Sequence, residues 1–145
     1  MTGLADTMPN RDFFDSNILI YAADRSEPEK QFQARRLLNS AVENETGALS
    51  VQVLSEFFSV VTKRIPNPLS VEEAEAIIER TAVLPVVELD WSLVRRAIDT
   101  HKEYGISYWD SLIVAAAEKA GCAQIISEDL NSGQSYHGIT VVDPF

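Results

Sequence analysis

Four carboxylates stand where side chains could do chemistry. Asp15 directly follows Phe13-Phe14, at the expected carboxyl end of a first strand. Asp129 follows Ile125-Ile126-Ser127-Glu128, just past a later strand, with Glu128 expected to point the opposite way. Asp110 lies three residues after Ser107, at the start of a strongly apolar helix. Glu56 sits mid-helix among Val53, Leu54, Phe57, Phe58, Val60 and Val61, on a stripe with Gln52, Ser59 and Lys63. Each has a plain structural role open to it: Asp15 as N-cap, Asp129 in a turn, Asp110 in a capping box, Glu56 on a wetted helix face. Gathered in one place, the four would repel and raise each other's pKa values. Such a cluster is stable with a hard cation, and Mg²⁺ takes oxygen ligands while keeping waters for a substrate. A cation held this way suits phosphodiester hydrolysis, because it acidifies bound water and stabilises charge on the attacking and leaving oxygens.

The elements that must position these residues alternate. Arg11 to Phe14 reads as a strand, followed by a short apolar turn or helix through Ala22. Pro28 sits near the start of an amphipathic helix carrying Phe32, Leu37, Leu38 and Val42. Gly47 to Leu49 is a small strand. A helix from about Val51 to Arg64 is stopped by Pro66 and Pro68, and its nearly all-round apolar character makes it a core helix. Ser70 with Glu73 is a capping-box pattern for a helix to about Val83. Pro85 to Leu89 is a strand, Asp90 caps a helix ending at Gly105, and Ser107 opens the apolar helix closed by Gly121. Gln124 to Ser127 is a strand, Glu128 to Gly138 a loop, and Ile139 to Val142 the last strand. Strands separated by helices imply an α/β domain, a central parallel sheet with helices on both faces. Ligands then sit beyond the carboxyl ends of the strands.

At 145 residues the chain suits one domain, read as residues 11–145 after a frayed Met1 to Asn10. That first stretch has no Lys, no Arg before Arg11 and no apolar block, which excludes a secretory signal, and no apolar run approaches a membrane span. A cytoplasmic location is expected. The lone Cys122 rules out an intramolecular disulfide and a cysteine-based zinc site, and it reads as a buried structural thiol. The formal net charge of −10 argues against holding nucleic acid by a broad basic surface. It fits carboxylates gathered around a cation, or a basic partner.

These residues match a known pattern. Phe14-Asp15-Ser16-Asn17-Ile18-Leu19-Ile20-Tyr21, Ser50-Val51-Gln52-Val53-Leu54-Ser55-Glu56-Phe57, Tyr108-Trp109-Asp110-Ser111-Leu112-Ile113-Val114-Ala115 and Ile126-Ser127-Glu128-Asp129-Leu130-Asn131 follow in order. Together the segments resemble the PIN domain family, and within it the bacterial VapC-type toxin ribonucleases. The resemblance covers nearly all of Arg11 to Phe145. It implies Asp15, Glu56, Asp110 and Asp129 as an acidic set binding Mg²⁺ or Mn²⁺, with Asn17 and Ser127 in support. It also implies an RNA substrate cleaved by metal-activated water, homodimerisation, and inhibition by a small antitoxin protein.

Two rival readings compete. A phosphatase of the haloacid-dehalogenase type wants a second Asp two positions after Asp15, where this chain has Asn17. A receiver domain wants a Lys after a late strand, and beyond Lys119 the only candidate base is His137. The other rival is a catalytically silent PIN-like module that binds RNA or protein. Filled acidic positions at strand ends weigh against it, because a scaffold has no need of them.

Overall fold

In a computed structural model, residues 10–145 are described. The expectation of a frayed Met1 to Asn10 therefore lies, but for Asn10, outside the described residues. The strands are β1 (Arg11–Phe14), β2 (Gly47–Ser50), β3 (Val86–Val87), β4 (Cys122–Ile126), β5 (Ser135–Tyr136) and β6 (Ile139–Val142). The helices are α1 (Ser16–Ala23), α2 (Pro28–Asn44), α3 (Val51–Val61), α4 (Val71–Thr81), α5 (Trp91–Tyr104) and α6 (Tyr108–Lys119). They form one six-stranded sheet of order β3-β2-β1-β4-β6-β5, parallel except where β5 pairs antiparallel with β6.

The strand order decides where a site can form. From β1 the chain steps outward to β2 and β3, then crosses back to β4 on the other side of β1. Right-handed crossovers therefore put α1 to α4 on one face and α5 with α6 on the other. The reversal lies between β1 and β4, and the crevice at their carboxyl ends is the switch point where such sheets bind ligands. Asp15 and Asp129 follow those two strand ends.

Local signals explain the helix limits. Pro28 occupies the first turn of α2, where its missing N–H costs nothing. Ser70 and Glu73 form the full reciprocal capping box at α4. Gly105 closes α5 in the left-handed conformation, at φ 69°. Apolar side chains pack both sheet faces, with Phe13, Phe14, Ile18, Leu49, Phe57, Leu112 and Ile125 fully buried. Gly47 is demanded by that packing: a Cβ there would meet Leu84, Ala41 and Phe14 at 2.9–3.0 Å.

Three expectations are corrected. Helix α3 ends at Val61 rather than Arg64, because the ring of Pro66 and the restricted residue before it forbid helix well upstream. Nor is α3 a core helix: only Val53, Phe57 and Val61 are buried, while Val51 and Phe58 are exposed. Its apolar residues are split between core and surface. Finally, the stretch Glu128 to Gly138 is not all loop. Ser135-Tyr136 folds back on Ile139 through His137-Gly138, both at positive φ (52° and 81°), as a two-residue hairpin requires.

Candidate metal centre

Asp15 is built into the join of β1 and β4. Its backbone N–H donates to the Ile126 carbonyl at 3.0 Å, extending the ladder by one residue. Its side chain caps α1: Oδ1 accepts from the Ser16 N–H at 2.8 Å. Oδ2 accepts from the Ser127 hydroxyl at 2.8 Å and, at 3.4 Å, from the Asn17 amide. Asp15 is buried, and so are Ser16, Asn17 and Ser127.

Asn17 and Ser127 join the two strand ends. The Asn17 Nδ2 group donates to Ser127 Oγ and to Asp129 Oδ2, each at 3.2 Å, while Oδ1 accepts from the Glu128 N–H at 3.1 Å. Ser127 Oγ also accepts from the backbone N–H groups of Asp129 and Leu130 at 3.1 and 3.2 Å. A single buried hydroxyl thus shapes the turn after β4 and orients Asp15.

Ser16 carries the network to α3, donating through Oγ to Glu56 Oε2 at 3.0 Å. Glu56 Oε1 accepts from Gln52 Nε2 at 2.9 Å, and the same amide reaches the Trp109 carbonyl at 3.3 Å. Asp15, Glu56 and Asp129 are therefore linked in one hydrogen-bond network through three small polar residues. Burial, aided by the charges of Glu56 and Asp129 and opposed by hydrogen bonds from Ser127 and Ser16, raises the Asp15 carboxyl pKa to about 6.

Asp110 stands apart. It is half-buried in the first turn of α6, its backbone N–H held by Ser107 Oγ at 3.1 Å. Among the described residues, no three His, Cys, Asp or Glu side chains already converge as a metal-holding group. The donor chemistry nonetheless fits a hard divalent cation: the carboxylates are all-oxygen donors, and Asp15 is held protonation-prone by burial and neighbouring negative charge that a cation would offset.

Glu128 faces the other way, as its position next to Asp129 predicts for alternating side chains. It pairs with Lys30 and the Tyr21 hydroxyl, and Lys30 lies over the Tyr21 ring at 4.7 Å. Cys122 is buried as expected, and burial pushes its thiol up to about 12, so it is inert as a nucleophile. Sequence reasoning placed Gln52 on the Glu56 stripe but missed Ser16 and Trp109. The signal for Ser16 was present, since the residue after a strand-end Asp starts α1.

The PIN domain family profile matches residues 13–132. No curated protein matches this sequence. Among solved structures, the chain is similar to the sarcin–ricin-loop-cleaving toxin VapC20 of Mycobacterium tuberculosis, at 20% identity and TM-score 0.61, covering 81% of this chain and 89% of that one. A toxin–antitoxin complex from Klebsiella pneumoniae aligns at 18% identity and TM-score 0.67, covering 92% and 98%. DNA-bound VapBC from Salmonella typhimurium aligns at 19% and 0.67, covering 94% and 100%. At such identities the likeness is one of fold.

Proposed function

This chain belongs to the PIN domain family, and from that premise we propose that it is a divalent-metal-dependent endoribonuclease, the toxin of a type II toxin–antitoxin pair. One observation supports the reading: hydrogen bonds through Ser16, Asn17 and Ser127 link Asp15, Glu56 and Asp129 near the carboxyl-end switch point of the sheet. Asp15, Glu56, Asp110 and Asp129 are the proposed ligands of Mg²⁺ or Mn²⁺. When bound, the cation supplies an acidified water and charge stabilisation for phosphodiester hydrolysis.

The chain's own residues do the rest. Asp15 is fixed by its N-cap bond and by Ser127, so it presents one carboxylate in one orientation. Asn17 holds Asp129 in register with Asp15. Lys30 and Tyr21 hold Glu128 aside, which limits the negative charge facing an anionic substrate.

The test is incubation with total cellular RNA, with and without Mg²⁺, followed by mapping of cleaved ends. Cleavage that stops on adding a chelator is expected. Cleavage unchanged by excess chelator would falsify the metal mechanism, and RNA binding without any cleavage would leave the silent binding module.

The reading carries with it a cytoplasmic location, a homodimer and a small antitoxin partner. The net charge of −10 makes basic contacts the expected means of capture by that antitoxin, with an Arg or Lys reaching the acidic site. Affinity of the inhibited complex should fall as salt rises. A complex indifferent to salt, with the carboxylates left open, would overturn this expectation.

A further inference from the structure

Trp109 is 64% exposed, although indole is among the side chains with most to gain from burial. It is not loose. Its ring packs edge-to-face on Tyr108, with centroids 5.3 Å apart and planes at 70°, and Tyr108 in turn packs on the core. Its carbonyl is tied through Gln52 to Glu56. Val51, Gln52, Ser55, Glu56, Leu89 and Trp109 line one open cleft of about 530 Å³. Of its lining residues, Val51 and Leu89 are apolar and exposed, and Glu56 is a carboxylate. An exposed indole thus shares with a carboxylate of the proposed site one cleft at the carboxyl edge of the sheet.

We propose that Trp109 is the stacking platform for an unpaired nucleobase of the RNA substrate, adjoining the scissile phosphate. The inference rests on the ribonuclease reading and names how that site holds its substrate. Two further points favour a base over other occupants. A chain with 22 acidic and 12 basic residues cannot draw RNA affinity from a broad cationic surface, so uncharged contacts must contribute more. Stacking also suits a ring already held by Tyr108, because little freedom is lost on binding. A double-stranded substrate keeps its bases stacked on each other and offers no face to Trp109, so the site selects single strands, loops or splayed bases.

The experiment uses the full chain with Ca²⁺ in place of Mg²⁺, a cation of the same oxygen-ligand class, and gels verify that the RNA stays intact. The probes are a single-stranded oligoadenylate and an abasic ribose-phosphate oligomer of equal length and charge. In a Trp91→Phe background, Trp109 fluorescence should be quenched by oligoadenylate and not by the abasic oligomer. Trp109→Ala should weaken oligoadenylate binding about 5- to 150-fold, the measured range for losing one base–aromatic stack. Trp109→Phe should restore most of it, and abasic binding should not change in either variant. Equal weakening of both oligomers, unchanged oligoadenylate binding, or conversion of a dimer to monomer by Trp109→Ala without base-selective loss overturns the stacking assignment. If the unaltered chain binds neither oligomer, the ribonuclease reading itself fails and the stacking role with it.

Discussion

Asp15→Asn is expected to abolish cleavage while leaving the metal-free protein as stable as before, or more so, above pH 6. The two effects have separate causes. Asparagine caps helices as well as aspartate does, so the bond from the Ser16 N–H survives and α1 keeps its start. What disappears is a charge buried beside two others. Burial first, then Glu56 and Asp129, raise the folded-state pKa of Asp15 to about 6 from an ordinary 3.8. The folded protein therefore favours the neutral acid. Stability from this group is fully present below about pH 4, declines as pH rises through the interval to 6, and is lost above it. Two pKa units correspond to about 3 kcal/mol, an upper bound here because the variant also weakens the bond from Ser127. The unaltered metal-free chain should lose stability across that interval, and the variant should show a flatter profile. Added Mg²⁺ should restore the unaltered chain by binding its folded state, and should stabilise the variant less. Cleavage should drop about a thousandfold or more, since metal stabilisation is worth several kcal/mol and each 1.4 kcal/mol is tenfold. Thermal melts from pH 4 to 8 with and without Mg²⁺, alongside cleavage rates, decide it. A variant less stable at every pH yet fully active would reduce Asp15 to a helix cap.

The parts of this site that the sequence makes legible are those tied to chain direction. A strand end is marked by Phe13-Phe14 or Ile125-Ile126, and the next polar residues must lie at the sheet's carboxyl edge. The strand-end positions of Asp15 and Asp129 follow from that, and a parallel sheet brings β1 and β4 side by side, whereas Asn17 and Ser127 are implied only by the family resemblance. Features that depend on what packs against a face are not legible. The apolar residues of α3 read as all buried, because sequence cannot say which of Val51, Val53, Phe57 and Phe58 meets a partner. The structure buries Val53 and Phe57 and leaves Val51 and Phe58 in solvent. β5 escaped for a different reason: two residues carry no periodicity, and its turn uses His137 at positive φ where Asn or Gly is the usual marker. Between Ser16 and Glu56, 40 positions apart, only the folded arrangement shows a bond.

Asp110→Asn is expected to lower cleavage about as severely as Asp15→Asn while changing metal-free stability by no more than about 1 kcal/mol, the scale of one carboxylate at a helix N-terminus. Asp110 is where the capping and ligand readings compete most directly, and only its backbone takes part in the cap. Ser107 Oγ accepts from the backbone N–H of Asp110, which the substitution leaves in place. At α4 the Glu73 side chain returns a bond to Ser70, completing the box. Asp110 takes part only through its backbone, so its carboxylate is free of capping duty. Removing that charge costs the dipole interaction and relieves repulsion toward the other acids, two small terms of opposite sign. A neutral amide is a poorer ligand for a hard cation, so the Mg²⁺-induced rise in melting temperature should shrink. Ser107→Ala is the matched control. It deletes the cap itself, at a cost of about 0.5–2 kcal/mol, and should leave both the Mg²⁺ shift and cleavage intact. Opposite signatures for the two variants would make Asp110 a ligand that happens to sit in a cap. Should Asp110→Asn instead mimic Ser107→Ala, with lower metal-free stability, a normal Mg²⁺ shift and normal cleavage, Asp110 is structural. The proposed ligand set would then reduce to the three carboxylates that Ser16, Asn17 and Ser127 link by hydrogen bonds.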